Sequence, residues 1–459
     1  MPANFIHHPS SYRDPSGYIF EKDGIIYRQV NKVFKDQFDF FIASGCYDKL
    51  VSQGLLIPHE VMNENLTGDE YCYKTIKPEK IPFISYPYEW SFDMLKDAAL
   101  LTLNLMKEAI ALGMILKDAT PYNVQWYNGK LIFIDSLSFE KYDETKPWIA
   151  YRQFCESFLA PLLLAHYSQQ PVQEMLLAYS DGIPLELTAS LLPKRSKFSV
   201  HTYLHIHLHA KYSQKAPDQT KRKSSFSKQK MLNLVSSLEV LIKKLKLHPA
   251  KSTWSAYYDE AAQRKDYLQN KKKVIQQWLE KINPASVADF GANKGEFSKL
   301  AAAKNIYTIA TDFDPTCINT LYQEIKSGTI KNILPLILDL SKPSPAIGVN
   351  NKERESFINR THVDMAFALA LIHHLAIGKN IPFDKIAALF QKMCIYLLIE
   401  FVPKEDEKVQ FMLQQKEDIY KDYTEENFTT SFLKYFSIED KQPVAGSGRT
   451  LYLLRNNER

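Results

Sequence analysis

The chain of 459 residues has only five cysteines, an odd number, and no Cys-x-x-Cys pair. That pattern argues against a disulfide framework and a cysteine zinc site, and it fits a reducing compartment. Long apolar runs are missing as well. The longest, around Phe158–Ala165 and Ile395–Val402, fall far short of the ~20 residues that a membrane-spanning helix needs. The first residues, Met-Pro-Ala-Asn-Phe-Ile-His-His, have neither a charged start nor an apolar stretch of the kind that marks a secretory leader. A cytoplasmic protein with no membrane partner is the expectation. Charge of one sign is also lacking. A formal net charge of +5 over this length is too weak to imply nucleic acid by itself. What is present is a globular composition, 45% hydrophobic and 24% charged. At about 150 residues per domain the length suggests two or three domains.

The front of the chain mixes short β runs with helix. Tyr18–Phe20 and Ile25–Val30 flank Glu21-Lys22-Asp23-Gly24 and predict a hairpin. Phe34 to Leu50 has the apolar spacing of a helix. Pro78, Pro82 and Pro87 keep Ile76–Glu89 extended or looped. Ser91 reads as the N-cap of a helix to Ala111, with Gly113 past its end. A strand–loop–strand block covers Ile115–Phe139, and residues 148–192 look helical. His201, His205, His207 and His209 have spacings that place two on one face. No carboxylate or cysteine accompanies them, so no metal site is expected. Residues 211–230 carry seven basic side chains against the single acid Asp218. They read either as a solvated linker or as a contact for RNA or another polyanion. Helices are predicted over Met231–Leu247 and Ala261–Ile282.

From Ser286 the pattern changes to strand, helix, strand, helix. Strands are predicted at Ser286–Phe290, Ile306–Thr311, Ile333–Leu338, Val363–Ala368 and Ile395–Phe401. Phe432–Ile438 and Thr450–Leu454 follow, around Gly446 and Gly448. This alternation predicts a doubly wound parallel sheet closed by an antiparallel hairpin. The first strand runs into Asp289-Phe290-Gly291-Ala292-Asn293-Lys294-Gly295. Gly291 and Gly295 permit the tight turn and close backbone approach that a bound cofactor requires. The next strand ends at Asp312, with Asp314 just beyond. An acid there can accept hydrogen bonds from ribose hydroxyls. Together the two features point to an adenosine-type cofactor.

The Asp-Phe-Gly-Ala-Asn-Lys-Gly string resembles motif I of class I S-adenosylmethionine-dependent methyltransferases, with Asn293 in place of the middle glycine. The resemblance covers residues 252–459. It implies an α/β fold with a seven-stranded, doubly wound, Rossmann-like sheet, S-adenosyl-L-methionine as cofactor, and methyl transfer. It further implies that Asp289, Gly291 and Gly295, with Asn293 between them, surround the methionine part. Asp312 would hold the ribose and Asp339 would contact the adenine edge. Asp364 and the run to His373-His374 would lie at the strand end facing the methyl group. Each acid has a plainer alternative: Asp289 as a helix cap, Asp312 and Asp314 as loop acids, Asp339 as a turn residue. A hydroxyl or ammonium acceptor needs a base. His373 and His374 are the candidates, at most one of them facing the site, and Glu400 is a lesser one. The polar insertion 348–360 either lids the site, holds an acceptor, or is a plain surface loop. After the fourth strand the chain reads Ala368-Leu369-Ala370-Leu371. Enzymes that methylate the amino groups of adenine or glutamine have an Asn/Asp-Pro-Pro-Tyr string there. The acceptors left open are a small molecule, a glycan, a lipid, RNA or a protein.

The front half resembles the catalytic lobe of protein-kinase-like domains. Asp118, then Asn123, then Asp135 after the β run Leu131–Ile134 have that spacing. The resemblance implies that Asp118 orients a hydroxyl acceptor while Asn123 and Asp135 hold magnesium. Several parts of the pattern are missing. There is no glycine-rich loop and no Val-Ala-Ile-Lys string, and Asp135 is followed by Ser136-Leu137 rather than Phe-Gly. Arg28 stands near the place of the strand-three lysine. The reading that follows has three parts: a kinase-like α+β domain at 1–210, degenerate in its motifs; a basic linker and helix at 211–251; and a methyltransferase domain at 252–459. The front domain would aid recognition of the acceptor or a partner. The alternatives are a bifunctional enzyme that also transfers phosphoryl groups, and a non-catalytic scaffold that binds the cofactor.

Overall fold

The first sheet grows from the hairpin turn at Asp23-Gly24. In the computed structural model both residues have positive φ, 53° and 74°, the twist that a two-residue turn between antiparallel strands requires. The turn joins β2 (Gly17–Lys22) to β3 (Ile25–Asn31). With β1 (Ile6–His7), β4 (His59–Met62) and β5 (Cys72–Pro78) they form an antiparallel sheet in the order β1-β2-β3-β5-β4. The predicted helix over Phe34–Leu50 is two helices, α1 (Lys35–Ala43) and α2 (Cys46–Ser52). Gly45, at φ 73°, breaks it. Ser91 caps α3 (Phe92–Ala111) by accepting from the Met94 N–H. Three short elements follow it: β6 (Met114–Leu116), the hairpin β7 (Val124–Tyr127) and β8 (Lys130–Phe133), and β9 (Phe139–Lys141).

The structure describes residues 5–213, 226–248, 265–328, 330–414 and 416–458. Most of the basic stretch at 211–230 therefore lies outside the described residues. The chain divides into two units: Met1–His248 with Gly348–Arg354, and Pro249–Ile347 with Glu355–Arg459. The helix predicted after the basic stretch is α4 (Lys228–Lys244), and it belongs to the first unit. It packs on α3, where Lys107 pairs with Glu239 and Lys96 Nζ donates to the Leu245 carbonyl at 2.8 Å. The first part of the polar insertion, Gly348–Arg354, is also part of the first unit. Glu353 accepts from Tyr12 and Arg13, each at 2.9 Å, and the Arg354 guanidinium lies 3.9 Å above the Tyr122 ring. Among the described residues no helix is long and apolar enough to cross a membrane.

The second unit opens with α5 (Lys265–Ile282) and continues through β10 (Ser286–Phe290), α6 (Glu296–Ala302), β11 (Tyr307–Asp312), α7 (Pro315–Ser327) and β12 (Ile333–Ile337). Then come β13 (Val363–Ala368), α8 (Phe383–Gln391), β14 (Cys394–Phe401), α9 (Glu425–Phe432), β15 (Phe436–Pro443) and β16 (Thr450–Asn456). Phe432 was expected in a strand. It instead ends α9, which Thr424 caps by accepting from Asn427. The seven strands stand in the order β12-β11-β10-β13-β14-β16-β15, and only β16 runs against the rest. β10 is the strand from which the order proceeds in both directions. Ligands of such sheets bind beyond the carboxyl ends of the strands at that switch point. One stripe of α5, made of Ile275, Trp278 and Leu279, is buried with Val287, Phe297, Phe367, Leu398 and Leu453. This helical periodicity fixes α5 across the sheet.

Candidate functional site

The expected cavity is present at the switch point, with a volume of about 230 Å³. Its walls include Gly291 and Asn293 from the turn after β10, Asp312 at the end of β11, Asp339 after β12, and Leu369, Ala370 and His374 after β13. Gly291 has φ 77°, and a Cβ there would come within 3.4 Å of Leu371. Gly295, also at φ 77°, starts α6, where a Cβ would press to 2.8 Å from Leu321. Asn293 takes the left-handed conformation at φ 51° without being glycine, as asparagine does more readily than most residues. Its N–H donates to Asp312 Oδ2 at 2.8 Å, and the Asp314 N–H donates to Asp312 Oδ1 at 2.9 Å. Burial pushes the Asp312 carboxyl up to about 6, although these N–H groups pull it down. Asp314 caps α7 by accepting from Thr316 and Cys317.

Other expected residues have different places. Asp289 is buried inside β10 and accepts from Ser298 Oγ of α6 at 2.6 Å. It braces strand to helix beneath the turn, and burial raises it to about 6. Asp339 accepts from Ser341 N and Oγ at 2.9 and 2.6 Å and pairs with Lys379 at 3.5 Å. Against burial, these contacts hold it below the usual carboxylate range. It therefore makes a turn and also lines the cavity. Asp364 does not lie where the resemblance implies. It sits at the amino end of β13, the end away from the cavity, and accepts from the N–H groups of Ala285 and Ser286 at 2.7 and 3.1 Å. Its alternation within the strand aims it at the start of β10.

The two histidines separate as helical geometry requires. His374 lines the cavity, and burial and then Arg449 push it down to about 4, so it is neutral at pH 7. His373 is fully buried, and its Nδ1 has no hydrogen-bond partner among the described residues. Glu400 is also fully buried and does not line the cavity. Its Oε2 accepts from Lys271 Nζ at 2.6 Å and from the Ala370 N–H at 2.7 Å, while Oε1 accepts from the Tyr267 hydroxyl at 2.7 Å. Burial alone would raise its pKa, but Lys271 and Arg449 outweigh it and hold Glu400 at about 2. A carboxylate so held is an anchor, not a base. What it anchors was missed in the sequence. Tyr267, Leu268 and Lys271 of α5 form one wall of the cavity. The signal was available, because they continue the stripe that buries Ile275, Trp278 and Leu279.

In the first unit Asp118, Asn123 and Asp135 do come together. Asn123 Nδ2 donates to Asp118 Oδ2 at 3.3 Å, and Asp118 is pushed up by burial and then by Asp135. The four histidines meet other side chains, His209 by stacking on Tyr151. His201 and His205 share Ser237, each at 2.8 Å, His205 also meets Tyr151, and His207 meets Ser196. Among the described residues no group of acids, histidines and cysteines is placed to hold a metal.

A doubly wound sheet of seven strands in this order, with an acid-bearing cavity at its switch point, is an α/β Rossmann-like fold. The chain belongs to the NoeA family. It is 33% identical over 458 residues to nodulation protein NoeA of Rhizobium meliloti (strain 1021), covering 98% of this chain and 96% of that protein. No protein-family profile matches it. Among solved structures, partial likeness extends to the bifunctional kinase-methyltransferase WbdD (16% identity, 48% of this chain and 46% of that one, TM-score 0.30). It also extends to the N-methyltransferase NodS from Bradyrhizobium japonicum WM9 (13% identity, 41% of this chain and 96% of that one, TM-score 0.30). The chain thus matches less than half of WbdD's length.

Proposed function

We propose that the second unit binds S-adenosyl-L-methionine and transfers its methyl group to an acceptor that the first unit helps to recognise. The observation that carries this reading is Asp312, a buried carboxylate at the cavity wall whose oxygens are already oriented by two backbone N–H groups. Each oxygen keeps lone-pair capacity for a further donor. The ribose hydroxyls of the cofactor are such donors, and they relieve the cost of burying the charge. Gly291 and Asn293 bring backbone close beside this acid, as the methionine portion needs. Asp339 and Leu340 offer a polar edge and an apolar wall to an adenine ring.

When bound, the cofactor supplies an electrophilic methyl group on a sulfonium. The chain's own residues then have to align the acceptor and exclude water, which contributes on the order of 7–11 kcal/mol in well-oriented reactions. Leu369, Leu371 and Leu375 make that part of the wall apolar. His374, the imidazole on the cavity wall, is the candidate to take a proton from a hydroxyl acceptor. Glu400 acts at one remove, fixing Tyr267, Lys271 and the Ala370 N–H around the cavity. Calorimetric titration of the full chain with S-adenosylmethionine tests the reading. One site per chain, weakened in Asp312→Ala, supports it, and an absence of binding refutes it.

A further inference from the structure

The first unit has an acidic centre of its own, and its own side chains fill it. Arg28 on β3 reaches the group formed by Asp118, Asn123 and Asp135. Its Nη1 donates to Asp135 Oδ1 at 2.5 Å, and its Nη2 lies 3.7 Å from Asp14 Oδ2. The Leu137 N–H takes the same Asp135 oxygen at 2.8 Å. Lys117 Nζ closes the other side of Asp14 at 3.1 Å and donates to Ser16 Oγ at 2.6 Å. The Arg28 side chain is only 11% exposed, so this is not an ion pair that solvent screens away.

Two further features disagree with a magnesium–nucleotide site. Asn123 turns its amide nitrogen, a donor, to Asp118 and to Ser138 Oγ, each at 3.3 Å, whereas hard cations are held by oxygens. Leu137 is fully buried beneath the sheet with Val30, Phe34, Phe38 and Ile76. A Cβ on Gly17 of β2 would stand 3.0 Å from Leu137 Cδ1. Side chain therefore fills the space beneath the first strands.

We infer that Arg28 stands in for the divalent cation of this kinase-like centre. The first unit holds its shape without metal or nucleotide: with the guanidinium in place Asp14, Asp118 and Asp135 form no metal site, and its removal frees their charge for a divalent ion. Charge supports this. Three carboxylates against Arg28 and Lys117 leave a formal charge of −1. Without Arg28 the balance is −2, which a divalent ion neutralises. Arginine suits the role because it cannot lose its proton and presents a fork to two carboxylates. The inference concerns the first unit alone and stands whether or not the second transfers methyl groups.

The test is a manganese titration of the full chain followed by electron paramagnetic resonance, with calorimetry of ATP–Mg²⁺ beside it. The wild type is expected to leave the free-ion signal unchanged and to give no heat with ATP–Mg²⁺. Arg28→Ala is expected to bind one Mn²⁺ at least about tenfold more tightly than the wild type, a gain of about 1.4 kcal/mol. Arg28→Ala combined with Asp135→Asn should lose the gain, and Arg28→Lys should behave like the wild type. Wild-type binding of Mn²⁺ or ATP–Mg²⁺ that Asp135→Asn abolishes would overturn the inference. So would a folded Arg28→Ala chain with no gain. If circular dichroism shows Arg28→Ala unfolded, Arg28→Gln takes its place, and the wild-type titration decides on its own whether the centre takes a cation.

Discussion

Asp312 and Asp135 begin alike. Each comes at or just after the end of a β run, and each accepts a hydrogen bond from the N–H two residues on, Asp314 in one case and Leu137 in the other. They differ in the second partner. Asp312 receives the N–H of Asn293 and faces a cavity, so its charge is oriented without a cation at its oxygens. Asp135 receives the guanidinium of Arg28, with Leu137 packed beside it. An acid at a strand end therefore marks a ligand site only when the protein leaves its charge for something else to satisfy. Backbone donors leave that capacity, and a buried arginine removes it.

Four measurements test this contrast. The largest effect is expected from Glu400→Ala, which leaves Lys271 buried without its carboxylate, while Arg449 keeps Asp406 at 2.8 Å. The loss should be about 3–5 kcal/mol of stability, read by urea unfolding of the full chain. Next, Asp312→Ala should weaken S-adenosylmethionine about 100-fold, from two hydrogen bonds to a charged group at ~1.5 kcal/mol each. Asp135→Ala should leave that affinity within about twofold, since sites without shared partners act independently. Equal losses in the two variants would erase the contrast.

The third measurement is pH dependence. Hydroxyl donors favour the ionised form of Asp312, whose carboxyl stands at about 6. Cofactor affinity should fall as pH drops below about 6 in the wild type and stay flat in Asp312→Asn. Without cofactor the signs are different. Asp289 and Asp312 are raised above 3.8, so the stability they contribute is full below that value and is lost as pH rises through about 6. Glu400 is lowered, so its contribution is present above 4.5 and is lost as pH falls towards about 2. Unfolding followed against pH should show Asp289→Asn reducing the loss on the alkaline side. The smallest effect is expected from Asp364→Asn. It should cost about 1 kcal/mol for two weakened backbone hydrogen bonds, with no change in cofactor affinity.

Much of the second unit was legible because its signals are local. Strand runs bounded by glycine and acid place Gly291, Asp312 and Asp339 at the ends of β10, β11 and β12, and all three line the cavity. Asp364 misled because motif likeness says nothing of depth along a strand, and β13 carries it to the opposite end from the cavity. Glu400 looked like a base because burial with Lys271 and Arg449 brings together positions far apart in sequence. The same long-range closure hid Tyr267 and Lys271, although their stripe on α5 was readable. In the first unit the spacing of Asp118, Asn123 and Asp135 was readable too. That Arg28 closes on Asp135 depends on a long-range contact between β3 and the residues after β8, which no local pattern states.

The central claim is that the cavity beside Asp312 is an S-adenosylmethionine site. A crystal structure of the full chain grown with S-adenosylhomocysteine tests it most directly. Ribose hydroxyls should lie on Asp312, adenine beside Asp339 and Leu340, and the sulfur toward Ala370 and His374. Ligand bound elsewhere, or an empty cavity at saturating ligand, would contradict it.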